Sequence, residues 1–179
     1  MIAGLRQHPL GGLSGAAAVA YRGAVLDGEI AVDDPRAADV QALLRRHLAF
    51  AHEHTPAVHA YALDIDALLS PAITFCSYRS GGELLAVGAL HQLDAAHGEL
   101  KSMHTAEAAR GRGIGRAMAG YLIALARARG LRRVSLETGT MAAFAPARAL
   151  YASLGFTPCG PFGGYRPSPD NTFLTLLLA

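Results

Sequence analysis

The sequence predicts a single α+β domain: a mixed sheet covered by helices. Three observations predict it. Strand-type and helix-type apolar patterns interleave along the chain instead of segregating into separate halves. The 179 residues suit one domain of ordinary size, and 51% of them are apolar, ample for a core. No internal repeat and no interior linker divides the chain.

The elements follow in order. In Glu29–Asp33, Ile30 and Val32 alternate with their neighbours, the pattern of a strand. Asp34-Pro35 opens a helix in which Val40, Leu43, Leu44, His47, Leu48 and Ala51 share one face, and Pro56 ends it. A short helix is expected over Asp64–Leu69. Ile73–Tyr78 and Leu84–Leu93 read as a hairpin joined by Arg79-Ser80-Gly81-Gly82. After a turn at Asp94–Gly98 comes a strand at Glu99–Thr105. A loop at Ala106–Gly113 precedes a strong helix from Ile114, with Ile114, Ala117, Met118, Tyr121, Leu122 and Leu125 on its apolar face and Gly130 closing it. Arg133–Thr138 is the next strand. Pro146 leads a helix that ends near Leu154 and Gly155. A short strand at Phe156–Cys159, a Gly/Pro-rich loop at Gly160–Pro169 and a final strand at Thr172–Leu178 complete six to seven strands. Residues 1–27 are rich in Gly and Ala, and the apolar run Leu10–Tyr21 is broken by Gly11, Gly12 and Gly15. They read as a poorly ordered extension, with the domain proper at 28–179.

Charge and composition exclude several classes. The net charge is +2, with no run of five like charges and no basic stripe interleaved with aromatics, so no nucleic-acid partner is expected. No stretch reaches the about 18 apolar residues of a membrane span. Cys76 and Cys159 are far apart and in no metal spacing, which points to a reducing, cytoplasmic setting. His47, His52 and His54 lack the i, i+4 spacing of a helical zinc site, and no metal is expected.

The informative segment is Glu99–Arg116: strand, glycine loop, helix start. The first turn of a helix offers unpaired N–H groups and a positive dipole end, a site for phosphate. Gly113 and Gly115 let an anion approach the backbone, and Arg110, Arg112 and Arg116 add positive charge. A tight turn alone would use the same glycines. The loop is neither a Walker A motif nor a dinucleotide fingerprint.

Arg110-Gly111-Arg112-Gly113-Ile114-Gly115 resembles the GNAT acetyltransferase signature, Arg/Gln-x-x-Gly-x-Gly/Ala. Ala147-Arg148-Ala149-Leu150-Tyr151-Ala152-Ser153-Leu154-Gly155-Phe156 resembles the second motif of that superfamily, A-x-x-L-Y-x-x-x-G-F. The resemblance spans about Glu29 to Leu178. Ser102-Met103-His104, Leu136-Glu137-Thr138-Gly139 and Pro158-Cys159-Gly160-Pro161-Phe162 are similar to a branch of small bacterial amino-acid or small-molecule acetyltransferases. The resemblance implies a three-layer fold with a mostly antiparallel sheet splayed between the fourth and fifth strands. It also implies acetyl-coenzyme A as co-substrate. The pyrophosphate would lie on Arg110–Arg116, Ile114 included, and the pantetheine arm along Met103, His104 and Thr105, with Ala147 and Tyr151 beside it. One position departs: Phe144 stands where many members carry an asparagine that helps hold the coenzyme arm.

The implied reaction acetylates a small-molecule primary amine, with an amino acid as one class. A non-catalytic acyl-coenzyme A-binding module and a protein or peptide N-acetyltransferase are the alternatives. Tyr151 matches the family tyrosine that protonates the leaving thiolate, although packing on its helix would equally place a tyrosine there. Glu99, eleven residues before Arg110, matches the base carboxylate of the histone-modifying branch, yet it also suits a pair with Lys101. Strand alternation puts Glu99, Lys101, Met103 and Thr105 on one face. Glu137 is the rival base, or a ligand for the substrate amine. His52 and His59 are outside candidates, and a water chain could serve with no single base. The acceptor pocket is expected around His47–His59 and Phe162–Arg166, with Lys101, Arg79 or Arg166 facing a substrate carboxylate and His59 contributing. The apolar terminal strand could support a homodimer.

Overall fold

The structure, a computed structural model, describes residues 27–54 and 65–179. The expected N-terminal extension, Asp27 apart, and the candidate His59 lie outside the described residues. β1 (Glu29–Val32) is a short edge strand, followed by α1 (Ala38–His54). Val40, Leu43 and Leu44 recur at helical spacing and are buried, which is what fixes α1 to the sheet. A single 3-10 turn at Ala67–Leu69 occupies part of the stretch expected as a short helix, and it ends just before Pro71. β2 (Ile73–Ser80) and β3 (Glu83–Gln92) form the hairpin. Its turn is tighter than the sequence suggests. Ser80 pairs directly with Glu83, because Gly81 and Gly82 both take left-handed φ and complete the reversal alone.

β4 (His97–Thr105) leads through the glycine loop into α2 (Ile114–Ala128), which crosses over to β5 (Arg133–Gly139). α3 (Ala145–Ser153), β6 (Thr157–Pro158) and β7 (Asn171–Leu177) follow. β6 has two residues where four were expected, although Cys159 N–H still donates to the Phe173 carbonyl at 2.9 Å just beyond it. The sheet order is β1-β2-β3-β4-β5-β7-β6, and only β4 and β5 run parallel, joined by the α2 crossover that a parallel pair requires.

The sheet separates two cores. On one face α2 and α3 bury Met118, Leu122, Tyr121 and Tyr151 against Leu90, Leu100 and Leu136. On the other, α1 buries Val40, Leu43 and Leu44 against Phe75, Val87 and Ala89. No helix among the described residues is long and apolar enough to cross a membrane.

Two irregularities prepare the site. β4 and β5 pair only at His97–Arg133, Gly98–Val134 and Glu99–Ser135, then separate while both strands continue. Within β4, Lys101 pairs with Ala89 but His104 pairs with Val87, so Ser102 and Met103 stand opposite Gly88 alone. Ser102 sits at this bulge with a φ of 54°, the one non-glycine residue with positive φ among those described. The bulge corrects the simple alternation. Glu99, Lys101 and His104 share the α1 face, whereas Met103 and Thr105 turn to the α2 face, where Met103 packs into the larger core.

Candidate active site

Where β4 and β5 part, a cleft of about 650 Å³ opens between the glycine loop, α1, α3 and the loop before β7. That size suits a small organic ligand.

One end is an anion cradle. Gly111 and Gly113 have φ of 75° and 83°, a region L side chains avoid, so glycine is needed at both. Gly113 is the N-cap of α2, and no side chain caps that helix. The first-turn N–H groups therefore stay open towards the cleft, with the positive dipole end behind them. Gly115 lies close to β4: a Cβ there would come within 3.3 Å of the Thr105 hydroxyl. Of the three arginines expected here, Arg110 and Arg116 line the cleft and Arg112 does not. Arg116 is anchored on Ser153, donating to its Oγ at 2.7 Å and its carbonyl at 3.4 Å. Arg110 donates to the Thr105 carbonyl at 3.4 Å and lies over the Phe50 ring, 5.6 Å from its centroid.

The middle of the cleft holds Tyr151, presented by α3. It is buried edge-on against Phe156 at 5.6 Å. Burial holds its phenol well above the ordinary range, so the group keeps its proton and is available as a donor. Ser102 Oγ, at the β4 bulge, is buried with no hydrogen-bond partner among the described residues. Across the cleft His47 of α1 meets His104 of β4, their rings 5.0 Å apart. Burial, then the charges of His47, Arg110 and Arg46, push His104 down to about 3, and burial alone lowers His47, so both imidazoles are neutral.

The far end holds two carboxylates on the α1 face. Glu99 is only 2% exposed and fully engaged. It accepts from His91 Nδ1 at 3.1 Å, from Lys101 Nζ at 3.4 Å and from the Tyr165 hydroxyl. Tyr165 is itself held by ring contacts to Phe162 and Phe173 at 5.3 and 6.0 Å. Glu137, opposite Phe173 in the ladder, differs: its carboxyl makes no hydrogen bond or ion pair among the described residues. Burial, then the neighbouring charge of Glu99, pushes it up to about 7. Below them His97 Nε2 and Ser135 Oγ share a hydrogen bond of 2.8 Å, and Ser135 Oγ donates to Thr175 Oγ1 at 3.0 Å. That serine proton points away from the cleft, so the Ser–His pair is a brace between strands.

The structure thus gathers Glu99, Lys101, Met103, His104, Thr105, Arg110, Gly111, Gly113, Ile114, Gly115, Arg116, Glu137, Ala147 and Tyr151 around one cleft. Arg79 lies elsewhere, bound to Asp33 and Asp39 at 2.9 and 2.6 Å. Sequence reasoning did not single out Tyr165, His91 or Phe50. Tyr165 reaches Glu99 from 66 residues away, and no local spacing signals that contact.

Comparison with known proteins agrees with this geometry. The profile of the "Acetyltransferase (GNAT) family" matches residues 39–156. The uncharacterised N-acetyltransferase YsnE of Bacillus subtilis (strain 168) is 41% identical over 146 residues, covering 82% of this chain and 97% of its own. A Klebsiella pneumoniae protein described as an acyl-CoA N-acyltransferase superposes with a TM-score of 0.70 at 26% identity, covering 85% of this chain and 98% of that one. A GNAT acetyltransferase of Elizabethkingia anophelis, solved with acetyl-CoA bound, shares the fold with a TM-score of 0.63 at 18% identity, over 85% and 99% of the two chains. With the split sheet, the open α2 N-terminus and these matches together, the chain belongs to the GNAT acetyltransferase family.

Proposed function

We propose that this acetyltransferase moves the acetyl group of acetyl-coenzyme A onto the primary amine of a small molecule, by direct attack in a ternary complex, with amino acids the first class to test. The observation that carries the reading is Glu137, a carboxyl with no partner among the described residues, raised to about 7 in a cleft that also holds a protonated phenol. A base works best when its pKa lies near the working pH, and Glu137 meets that condition.

Acetyl-coenzyme A supplies the thioester. Its pyrophosphate fits the open N–H groups after Gly113. The acceptor enters from the α1 face, where both carboxylates lie. Glu137 takes a proton from the amine as nitrogen bonds to the acetyl carbon, and Tyr151 protonates the departing sulfur as the carbon–sulfur bond breaks. Glu99 acts through its partners: it fixes Lys101, His91 and Tyr165, and its charge keeps Glu137 basic. Lys101 is the cation available for a substrate carboxylate.

The test is release of free thiol from acetyl-coenzyme A against a panel of amino acids and simple amines, after calorimetric titration has established coenzyme binding. Micromolar coenzyme binding and amine-dependent thiol release are expected. Coenzyme binding with no turnover on any amine would leave an acyl-coenzyme A-binding module instead.

A further inference from the structure

Phe144 occupies the departure from the family motif, and three contacts give it a setting. Its ring packs edge-on against Phe50 of α1, with centroids 5.4 Å apart and planes at 73°. The Arg110 guanidinium lies over the Phe50 ring, 5.6 Å from its centroid. Phe144 also rests directly on the backbone of Gly139, where an added Cβ would come 2.4 Å from the ring.

The two ends of this stack stand on the two strands that part. Gly139 is the last residue of β5, and Thr105, whose carbonyl receives Arg110, is the last residue of β4. The stack therefore spans the gap between β4 and β5 at its open end. Phe50, Phe144 and Arg110 all line the cleft. The turn carrying Phe144 is braced in turn: Arg148 donates to the carbonyls of Gly139 at 2.6 Å and Met141 at 3.0 Å.

A ligand with its phosphates at the α2 N-terminus and its reactive sulfur near Tyr151 has to thread this gap. The connecting part of coenzyme A is a flexible chain of methylenes and amides. Resting on the coenzyme reading above, we infer that Phe144 and Phe50, with Arg110 stacked on Phe50, form a largely apolar roof that holds the pantetheine arm by enclosure. The roof takes the place of a polar side-chain contact. It covers the methylenes of the arm and keeps water from its polar groups, which strengthens any hydrogen bond they make. Both phenylalanines are positioning residues and touch the arm alone, not the reacting atoms.

The experiment titrates the intact protein and its Phe144→Ala and Phe50→Ala variants calorimetrically with two probes. One is coenzyme A. The other is adenosine 3′-phosphate 5′-diphosphate, which keeps the head group and lacks the arm. Each variant is expected to bind coenzyme A about tenfold more weakly, equivalent to about 1.4 kcal/mol, while head-group affinity stays within about twofold. Unchanged head-group binding also shows that the variants are folded. The double variant is expected to lose less than the sum of the two, because the rings act as one unit. Coenzyme A affinity unchanged in both variants would overturn the roof, as would equal losses for the two probes. Failure of the unaltered protein to bind either probe would instead remove the coenzyme reading itself.

Discussion

At Glu137 one environment produces two measurable effects. Burial and the charge of Glu99 raise its pKa to about 7, so the proposed base is mostly ionised only above that value. With an accepted amine, kcat/KM should rise through about pH 7, and Glu137→Gln should remove that inflection and lower kcat about 10²–10⁴-fold. The stability effect has the opposite direction. Between the ordinary carboxyl value and about 7, the folded state binds more protons than the unfolded chain, so stability falls as pH rises through this window. Glu137→Gln should therefore stabilise the fold at pH 8, by on the order of 1–3 kcal/mol, read as a higher denaturation midpoint. A midpoint unmoved by the substitution at pH 8 would mean that the carboxyl is not desolvated in solution. Tyr151→Phe separates donor from packing: the ring contact to Phe156 survives, so a kcat loss at unchanged thermal stability marks a proton donor. Glu99→Gln serves as a comparison, because a glutamine oxygen still accepts from Tyr165 and a loss smaller than that of Glu137→Gln is expected.

Among the elements, the start of α2 and the bulge of β4 matter most. The glycine loop was legible because its glycines, arginines and following helix are contiguous, and the left-handed φ at Gly111 and Gly113 explains why those glycines stand there. Gly113→Glu places a side chain on a φ of 83° and a negative charge at the anion cradle, and should weaken coenzyme A binding by at least about 100-fold. Gly113→Ala carries the strain without the charge and should lose clearly less, which calorimetry can resolve. The bulge was not legible. A period-two reading of β4 put Met103 and Thr105 beside Glu99, and nothing local at Ser102 announces an extra residue. Only the register against β3 reveals it, since a bulge is a mismatch between two strands.

For the whole molecule, the proposed function depends on a sheet that fails to close. β4 and β5 share three register pairs and then diverge, and the cleft is the space they leave. A ligand that fills it adds its binding energy to the fold. Acetyl-coenzyme A at about 100 times its Kd should stabilise the protein by about 2.7 kcal/mol, raising Tm by roughly 5–10 °C. A midpoint unmoved at saturating acetyl-coenzyme A would contradict binding to the native state. Leu122→Ala, in the core beneath the cleft, should cost about 2–5 kcal/mol by removing a fully buried side chain between α2 and the sheet.

The sequence by itself determined the element order, the apolar faces of α1 and α2, and the two motifs that identify the family, because each is written in residues close together along the chain. Helical spacing, strand alternation and the glycine loop are local physics. The tertiary structure alone decided how the carboxylates differ. Glu99 and Glu137 are both glutamates on neighbouring strands; Lys101, two residues along the same strand, was readable as a partner of Glu99, but nothing within either strand shows that His91 and Tyr165 also close around it while Glu137 is left desolvated and without a partner among the described residues. It alone also brought Phe50, Arg110 and Phe144 into one stack across the split. A side chain's charge state and partners depend on elements far away in sequence, and these meet only when the chain has folded.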